Sequence, residues 1–463
     1  MDRLNEKCAV FGVFGESEIA SRQTYFGLFA LQHRGQEYSG IASTDGKDIF
    51  SYKGQGLVSQ VYTEEALKDL PGFGAIGHNR YSTSRGGGAE HAQPVIINNI
   101  AFAHNGNLPS VKALTEFLQA NDIKVDDMSD SELMAEAIGF YVKEGLTLPD
   151  AIEKTYPLFT GAFSCVALST DYLVAFRDPC GIRPLVMGKR KDKTFFASET
   201  CALQTVGADF VREVEPGEMV VVSKEGVEQR ILEKRDPKFD IFEFVYFARS
   251  DSNMLGKSVY EVRKNFGKVL AEEYKLDVDI IIPVPETSIP SAIGYSHATG
   301  TPFEMALVKN RYIHRTFIEP LQDDRDKKVK MKLLPLTEII SGKRVAVIDD
   351  SIVRGTTSRQ IVKMLFEAGA TEVHFLVGSP PVKFPDFYGI DTPQQVDLIG
   401  SQKTIKEICE YLGATSLSFL SVDGMVKATG LPKERFSLSA FTGDYPIDLY
   451  ERAKEVTNDV PNE

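Results

Sequence analysis

The run from Arg344 to Ser358, RVAVIDDSIVRGTTS, constrains the fold more than any other part of the chain. Its first part, Val345 to Ile348, is apolar and β-branched, which is typical of a parallel-sheet strand covered on both faces. Gly355 then permits a tight turn, and an amphipathic helix follows from Thr357. Such a loop can hold an anion, because its amides, its hydroxyl groups and the positive helix N-terminus face the same space. The run therefore predicts a strand, a phosphate-binding loop and a helix.

Two carboxylates, Asp349 and Asp350, stand between this strand and its loop. They would repel a neighbouring anion, so they need another ligand, and vicinal ribose hydroxyls or a substrate-bound divalent metal would satisfy both. The alternative is a strand that ends in solvated aspartates before an ordinary helix cap. The run resembles the phosphoribosyl-pyrophosphate loop of type I phosphoribosyltransferases. The resemblance implies a parallel-sheet α/β domain and Mg²⁺ at the two acids. It also implies that the substrate is bound by Asp349, Asp350, Ser351, Arg354, Gly355, Thr356, Thr357 and Ser358.

Length and composition bound the remaining possibilities. The chain has 463 residues, enough for two or three domains, and its 43% hydrophobic and 25% charged residues are typical of a soluble globular protein. A net charge of −13 argues against general binding of nucleic acid or membrane surfaces. We expect a cytoplasmic protein, since neither a signal peptide nor a membrane-spanning run is evident. The five cysteines form no CxxC pair, which disfavours a structural metal site.

The first half of the chain opens with a strand-like run, CAVFGVFG, that begins at Cys8. A lone cysteine in a strand is usually an inert hydrophobic residue. Three later stretches favour a chemical role instead: LQHRGQE ends an apolar helix, and GHNRYST and HNGNL each end a strand with polar groups and glycine. Together with Cys8 they resemble the class II glutamine amidotransferases, which are N-terminal nucleophile enzymes. This resemblance covers residues 8–233 and implies an αββα four-layer sandwich, with residues 1–7 removed as a propeptide.

The chemistry of that family explains the residue types. Removal of residues 1–7 would give Cys8 an α-amine with a pKa of about 7.7 to 8.0, which can accept the thiol proton. The thiolate would attack the glutamine amide, and the resemblance assigns the oxyanion donors to Asn105 and Gly106. Arg80 fits the α-carboxylate of glutamine and Asp130 fits its α-ammonium.

Two of the residues that we assign to glutamine binding have structural alternatives. Asp130 lies in the sequence Ser-Asp-Ser-Glu, which is a good helix capping box, and it can serve both roles. Arg34 is expected to orient the surroundings of the nucleophile, and its alternative is a buried structural ion pair. The sequence leaves that choice for Arg34 open.

A charged stretch with a proline, EKRDPK at residues 233–238, marks the expected boundary between two domains. The second domain would span residues 240–463 and end in a helix. Thr287 follows the buried strand DIIIPVP, and the resemblance makes it a metal ligand, although proline-bounded strand ends are common. Residues 309–332 are predicted to form a lid over pyrophosphate, with Lys309 and Arg311 as binding residues; the alternative is a solvated basic face.

Taken together, these features resemble the amidophosphoribosyltransferase family from Cys8 to about Tyr450. The implied reaction transfers ammonia from glutamine to 5-phosphoribosyl 1-pyrophosphate. It gives 5-phosphoribosylamine, glutamate and pyrophosphate, and it opens de novo purine biosynthesis. The family also implies feedback inhibition by purine nucleotides and a homo-oligomer, either a tetramer or a dimer. Many members carry an iron–sulfur cluster on four cysteines, but the matching positions here include Asp240 and Asp386, so no cluster is expected.

Two other functions compete with this one. A regulator could bind phosphoribosyl pyrophosphate without turning it over, but the acidic net charge and the lack of a basic recognition helix weigh against it. A glutaminase could feed a different acceptor, but the run at 345–358 weighs against that.

Overall fold

The computed structural model describes residues 5–6, 8–15, 20–80, 92–310 and 332–461. Its strands are β1 (Asn5–Glu6), β2 (Cys8–Phe14), β3 (Tyr38–Thr44), β4 (Ile49–Gln55), β5 (Gly74–Arg80), β6 (Val95–Ile97), β7 (Ile100–Ser110), β8 (Thr160–Leu168), β9 (Leu173–Arg177), β10 (Val186–Arg190), β11 (Lys193–Ala197), β12 (Asp209–Glu213), β13 (Glu218–Ser223), β14 (Gly226–Ile231), β15 (Phe239–Asp240), β16 (Asn253–Met254), β17 (Lys257–Ser258), β18 (Ile280–Pro283), β19 (Leu307–Lys309), β20 (Leu333–Pro335), β21 (Arg344–Asp349), β22 (Glu372–Val377), β23 (Ile390–Asp391), β24 (Ser416–Phe419) and β25 (Phe436–Ser437).

The α-helices of the described residues are α1 (Ala20–Ala30), α2 (Val58–Val61), α3 (Glu64–Lys68), α4 (Lys112–Ala120), α5 (Asp130–Lys143), α6 (Leu148–Thr155), α7 (Thr200–Thr205), α8 (Val259–Glu273), α9 (Ile289–Thr299), α10 (Thr337–Ile340), α11 (Thr356–Glu367), α12 (Ile399–Gln402), α13 (Ile405–Leu412), α14 (Val422–Thr429) and α15 (Ser439–Thr442). No helix in this part of the chain combines the length and the apolarity that crossing a bilayer requires.

Two antiparallel sheets pack face to face in the first half of the chain. One has the strand order β12-β10-β11-β2-β5-β3-β4, and the other has the order β14-β13-β9-β8-β7-β6. Val10 and Phe14 of β2 point into the layer between the sheets, whereas Phe11 and Val13 point outward against α1 and its neighbours. Helices α4, α5 and α6 cover the outer face of the second sheet. The predicted αββα sandwich is confirmed, and double coverage explains why every residue of β2 is buried.

A four-stranded parallel sheet, with the order β18-β21-β22-β24, forms the centre of the second half. Alternate residues of β21 enter two cores: Val345 and Val347 pack under α11 and α13, and Ala346 and Ile348 pack under α8 and α9. Burial on both faces accounts for the unbroken apolar run. The predicted strand, loop and helix are therefore confirmed as β21 and α11.

The C-terminal helix stays a prediction. Gly443, with a φ of +77°, ends α15, and among the described residues that follow, Tyr450–Glu455 forms a 3₁₀-helix. Residues 232–238 form no helix or strand, and the domain limits near 233 and 240 stay predictions.

Helices α8 and α9 cross with their backbones in contact at two glycines. A Cβ at Gly267 would lie 1.8 Å from the carbonyl oxygen of Ser291, and one at Gly294 would lie 1.9 Å from that of Lys264. The hydroxyl of Ser291 also donates to the carbonyl of Arg263 at 2.9 Å. This close crossing fixes the N-terminus of α9, where Ser288 meets Asp349 of β21.

We expect Gly267→Ala to destabilise the protein, because the two helices would have to separate. Overpacking of this kind costs about 1–3 kcal/mol, which lowers the thermal midpoint by roughly 2–4 °C per kcal/mol in a domain of 150–250 residues. Gly424→Ala in α14 is the matched control, since its Cβ first meets the movable carboxylate of Glu273. Circular dichroism during heating measures both midpoints. Equal midpoints for the two variants would show that the crossing is not as close as described.

Candidate active sites

The ends of three neighbouring strands bring Cys8 and Arg80 together. Cys8 is the first residue of β2 and pairs with Arg80, the last residue of β5, while Tyr38 of β3 pairs with Arg80 on its other side. Directly opposed residues of antiparallel strands have Cβ atoms about 4.5–5.5 Å apart. Cys8 is 8% exposed. The predicted nucleophile therefore lies beside the cation that was predicted to bind the glutamine carboxylate.

The second sheet brings Asn105 and Gly106 toward the same place, because β7 lies across from β2. The buried amide of Asn105 donates to the hydroxyl of Ser198 at 3.5 Å, and that hydroxyl accepts from the amide of Val10 at 3.0 Å. Among the described residues, the side-chain oxygen of Asn105 has no hydrogen-bond partner. Gly106 has a φ of +153°, and a Cβ there would lie 2.0 Å from the carbonyl oxygen of Ala162. Only glycine fits this position.

Asp130 lies next to this turn. As the first residue of α5 it follows the N-cap Ser129, and the predicted capping box is present. Its Oδ2 accepts from the amide of Leu108 at 3.3 Å, which places the carboxylate beside the end of β7. The same oxygen lies 3.9 Å from Nδ1 of His104. The role of Asp130 in glutamine binding stays a prediction.

His104 is a residue that the sequence reasoning missed, although it stands in the HNGNL stretch. It is buried, its Nδ1 lies 3.1 Å from the hydroxyl of Ser131, and burial lowers its pKa, so the ring is neutral at physiological pH. Its Nε2 has no partner among the described residues. The neutral ring supports Asp130 and the Gly106 turn from within the protein.

Arg34 forms the buried ion pairs of its structural alternative. Its buried guanidinium forms ion pairs with Glu199 and Glu243. Burial opposes the ionisation of Glu199, yet Arg34 and His33 hold the pKa of that carboxyl well below its usual range. Arg183 binds the other side of Glu243 at 3.0 Å. The structure thus shows the alternative of a buried ion pair, because both edges of the guanidinium are engaged by carboxylates.

The predicted phosphoribosyl site lies at the carboxyl end of β21. Asp349 and Asp350 are only 3% and 5% exposed. Asp349 accepts from the hydroxyl of Ser288 at 3.4 Å, and Ser351 donates to Asp350 at 2.7 Å. Ligands of open α/β sheets bind at this edge of the strands. The two acids are therefore fixed in direction and are not the solvated aspartates of the alternative interpretation.

The loop that follows has the geometry of an anion site. Gly355 has a φ of +77° and precedes the first residue of α11, so the helix N-terminus opens toward the acids. Thr357 and Ser358 are buried in the first turn, whereas Thr356 is exposed. Arg354 is 45% exposed and lies 4.0 Å from the carboxylate of Asp397.

Three further predicted residues surround this loop or lie outside the described chain. Thr287 is half-buried in the turn after β18. The ammonium of Lys309, at the end of β19, lies 3.7 Å from Glu286. Arg311 and most of the predicted lid at 309–332 lie outside the described residues, as do the side chains of residues 1–7. Within the described ranges, no group of three or more histidine, cysteine, aspartate and glutamate side chains could hold a metal ion.

Known proteins are similar to this chain over almost its whole length. A glutamine amidotransferase domain model matches residues 78–205. The amidophosphoribosyltransferase of Bacillus subtilis is 45% identical over 459 residues, covering 97% of this chain and 96% of the relative. That of Methanocaldococcus jannaschii is 41% identical and covers 96% of this chain and 98% of the relative.

A solved structure extends this similarity to the whole fold. The glutamine phosphoribosylpyrophosphate amidotransferase of B. subtilis, complexed with ADP and GMP, is 44% identical with a TM-score of 0.90. The match covers 96% of this chain and 98% of that structure. Identity at this level over almost the full length of both chains shows the family as well as the fold. This chain belongs to the amidophosphoribosyltransferase family.

Proposed function

We propose that this enzyme transfers ammonia from glutamine to 5-phosphoribosyl 1-pyrophosphate, giving 5-phosphoribosylamine, glutamate and pyrophosphate. The observation that carries the proposal is the presence of two separate groups of candidate site residues in one chain. Cys8 and Arg80 meet the Asn105–Gly106 turn in the first half, and the buried acids Asp349 and Asp350 precede an open helix N-terminus in the second. The reaction is the first step of de novo purine biosynthesis.

The first site is suited to glutamine hydrolysis. With residues 1–7 removed, the α-amine of Cys8 accepts the thiol proton, and the thiolate attacks the amide carbon. The side chain of Asn105 and the amide of Gly106 stabilise the oxyanion, and Arg80 and Asp130 bind the α-carboxylate and α-ammonium of glutamine. Ammonia leaves, and water hydrolyses the Cys8 thioester to glutamate.

The second site is suited to positioning an activated ribose. Asp349 and Asp350 supply hard oxygen donors for the ribose hydroxyls or for Mg²⁺ held with the substrate, which fits a site that has too few protein ligands to hold a metal alone. Bound Mg²⁺ supplies positive charge to the departing pyrophosphate. The amides and hydroxyls of residues 354–358 would bind phosphate, and Lys309 and Arg311 are our candidates for binding pyrophosphate. Ammonia then attacks C1 of the ribose.

The remaining proposals concern regulation, assembly and location. Purine nucleotides would inhibit this enzyme, since the B. subtilis relative was solved with ADP and GMP. We also propose a homo-oligomer, a dimer or a tetramer, in the cytoplasm. A regulator that binds phosphoribosyl pyrophosphate without turning it over would not need a nucleophile beside an oxyanion turn. This alternative is therefore not favoured.

We expect Cys8→Ser to lose glutamine-dependent synthesis by roughly a thousandfold or more, because the thiolate nucleophile is gone. Synthesis from added ammonium salts should stay near the wild-type rate, since Asp349 and Asp350 lie in the other half. Phosphoribosylamine formation from glutamine and from ammonium, measured side by side, tests this. Cys409→Ser is the control, as its thiol is half-buried in the second half. Equal loss of both activities in Cys8→Ser would contradict separate sites.

Asp349 and Asp350 should act by positioning, because ammonia is already a nucleophile. Replacement of either by alanine should slow synthesis by about a hundredfold and weaken phosphoribosyl-pyrophosphate binding. Asp349→Asn keeps one acceptor and should lose less than Asp349→Ala, whereas a proton acceptor would lose equally from both. Asp277→Ala, at the opposite end of the sheet and 95% exposed, is the control. Synthesis rates measured at increasing concentrations of phosphoribosyl pyrophosphate and Mg²⁺ test this assignment. Unchanged synthesis in both alanine variants would refute the assignment.

The positions that match cluster-binding cysteines do not suit an iron–sulfur cluster in this chain. Asp240 is buried and lies 3.1 Å from Arg183, and Asp386 accepts backbone hydrogen bonds from Tyr388 and Ile390. Neither offers the thiolate that such clusters require. The residues present therefore replace the cluster with polar contacts.

We accordingly expect the purified protein to be colourless and to keep its activity in an iron-selective chelator when Mg²⁺ is in excess. Absorbance near 400 nm and assays of iron and acid-labile sulfide test this on protein prepared without oxygen. Iron and acid-labile sulfide in amounts that correspond to one cluster per chain would overturn the expectation.

A further inference from the structure

A loop of the second half, residues 386–391, lies against the oxyanion turn of the first half. A Cβ built at Gly389 would lie 3.1 Å from the Cα of Gly106 and 3.3 Å from its carbonyl carbon. Asn107, the next residue, donates its side-chain amide to the carbonyl of Phe387 at 2.8 Å. These contacts join residues that are about 280 positions apart in the chain. We call residues 386–391 the Asp386 loop.

We propose that the Asp386 loop is a positioning element of the glutaminase site, which holds the Gly106 amide in place from behind. This inference rests on the proposed function. It assigns part of the glutamine-hydrolysing geometry to the half of the chain that binds phosphoribosyl pyrophosphate. Gly389 and Asp386 are its positioning residues, and neither is assigned contact with glutamine.

Gly106 is enclosed on two sides. On one side lies the carbonyl of Ala162, which a Cβ at Gly106 would meet at 2.0 Å, and on the other side lies the backbone of Gly389. Gly389 has a φ of +120°, which side-chain-bearing residues rarely adopt. A methyl group at Gly389 would therefore press on the Cα and the carbonyl group of Gly106, next to the peptide whose N–H is the proposed oxyanion donor.

The Asp386 loop is rigid enough to transmit such a displacement. One carboxylate oxygen of Asp386 accepts from the amides of Tyr388 and Ile390, each at 2.8 Å, and the amide of Asp386 donates to Thr392 at 2.7 Å. Phe387 and Tyr388 then pack in one buried cluster with Ala162, Cys180 and Ile182 of the first half. The loop is thus tied internally by Asp386 and externally by apolar contact.

The same loop also borders the chain that leads to the nucleophile. Strand β1 pairs with β23, so that Asn5 opposes Asp391 and Glu6 opposes Ile390. One residue, Lys7, separates Glu6 from Cys8. In the chain before residues 1–7 are removed, the Asp386 loop therefore lies alongside the segment that precedes Cys8 as well as beside Gly106.

The decisive variant is Gly389→Ala, compared with Gly413→Ala. Gly413 also has a positive φ, +71°, but a Cβ there meets nothing within 4 Å, so the control replaces a glycine of positive φ in the same half without a close contact. Removal of an oxyanion donor costs about 10²–10³ in kcat, and a displaced donor should cost about tenfold or more. We expect kcat for glutamine hydrolysis to fall by that factor in Gly389→Ala, with the KM for glutamine changing less than about threefold. Synthesis from ammonium should match that of the control.

Rates are expressed per chain that begins at Cys8, counted by mass spectrometry, so that altered removal of residues 1–7 does not mimic the effect. Equal glutamine hydrolysis in Gly389→Ala and Gly413→Ala would overturn the inference. A parallel fall in ammonium-dependent synthesis would overturn it too, since that result would indicate general damage to the second half. If the wild-type chain had no glutaminase activity, that result would instead contradict the proposed function on which the inference rests.

A second pair of variants tests the loop without introducing a clash at Gly106. Asp386→Asn keeps an oxygen that can accept from Tyr388 and Ile390, whereas Asp386→Ala removes it. We expect kcat for glutamine hydrolysis to fall several-fold in Asp386→Ala and to be largely restored in Asp386→Asn, with ammonium-dependent synthesis intact in both. Equal kcat values for these two variants would show that the Asp386 hydrogen bonds do not position the Gly106 turn.

Discussion

The carboxylate of Glu243, buried between Arg34 and Arg183, is the interaction on which the placement of the two halves depends. Glu243 comes from the start of the second half, and both arginines come from the first. Removal of water from such charges costs several kcal/mol per ion, so each must find a matched partner. Arg34 reaches Glu199 as well, and Arg183 reaches Asp240. A displaced second half would leave these charges buried without their partners, and this penalty fixes how the halves meet.

Once the halves are fixed in this way, one continuous segment reaches both active sites. Its Gly389 lies against Gly106 at the glutaminase site. Ten residues later, the amide of Ile399 donates to the carbonyl of Val353 in the phosphate loop at 2.9 Å. The side chain of Ile399 also limits the space beside Gly355, which a Cβ would fill at 2.9 Å. The physical connection between the two chemistries is therefore short and made of backbone contacts.

The sequence was sufficient where a function depends on neighbours along the chain. The run at 345–358 predicted β21, its two acids, the turn at Gly355 and the start of α11, because strand burial, glycine conformation and helix capping are local. The capping box at Ser129 was likewise predicted from the local sequence. The pairing of Cys8 with Arg80 was expected only through family resemblance, since nothing in their spacing gives the register of two strands.

The sequence failed where a residue's partners are remote. The choice for Arg34 between orienting the nucleophile's surroundings and forming a buried ion pair stayed open, because its partners Glu199 and Glu243 lie 165 and 209 positions away. The role of Gly389 could not be predicted from the sequence, because a glycine in a loop usually indicates an ordinary turn. Its contact with Gly106 exists only in the folded chain. His104 was passed over for the same reason. Long-range packing decided these cases, and local patterns do not encode it.

Remote contacts also join three segments of the second half, around residues 240, 386 and 441. Near Asp240, β15 pairs with β25, and Phe242 stacks on Phe441 with ring centroids 5.0 Å apart. The amides of Lys383 and Phe384 donate to the carbonyl of Ala440 at 2.9 and 3.1 Å. The three segments are thus held together by backbone and aromatic contacts.

Burial disfavours the charged form of a carboxyl group at this junction. It raises the pKa of Asp240 to about 7; Arg183 opposes the shift, and the nearby Asp386 adds to it. A carboxyl with a raised pKa in the folded state favours folding less as pH rises from its unfolded value toward 7. The charge of Arg183 therefore matters most at neutral pH, where it offsets the repulsion between the two acids.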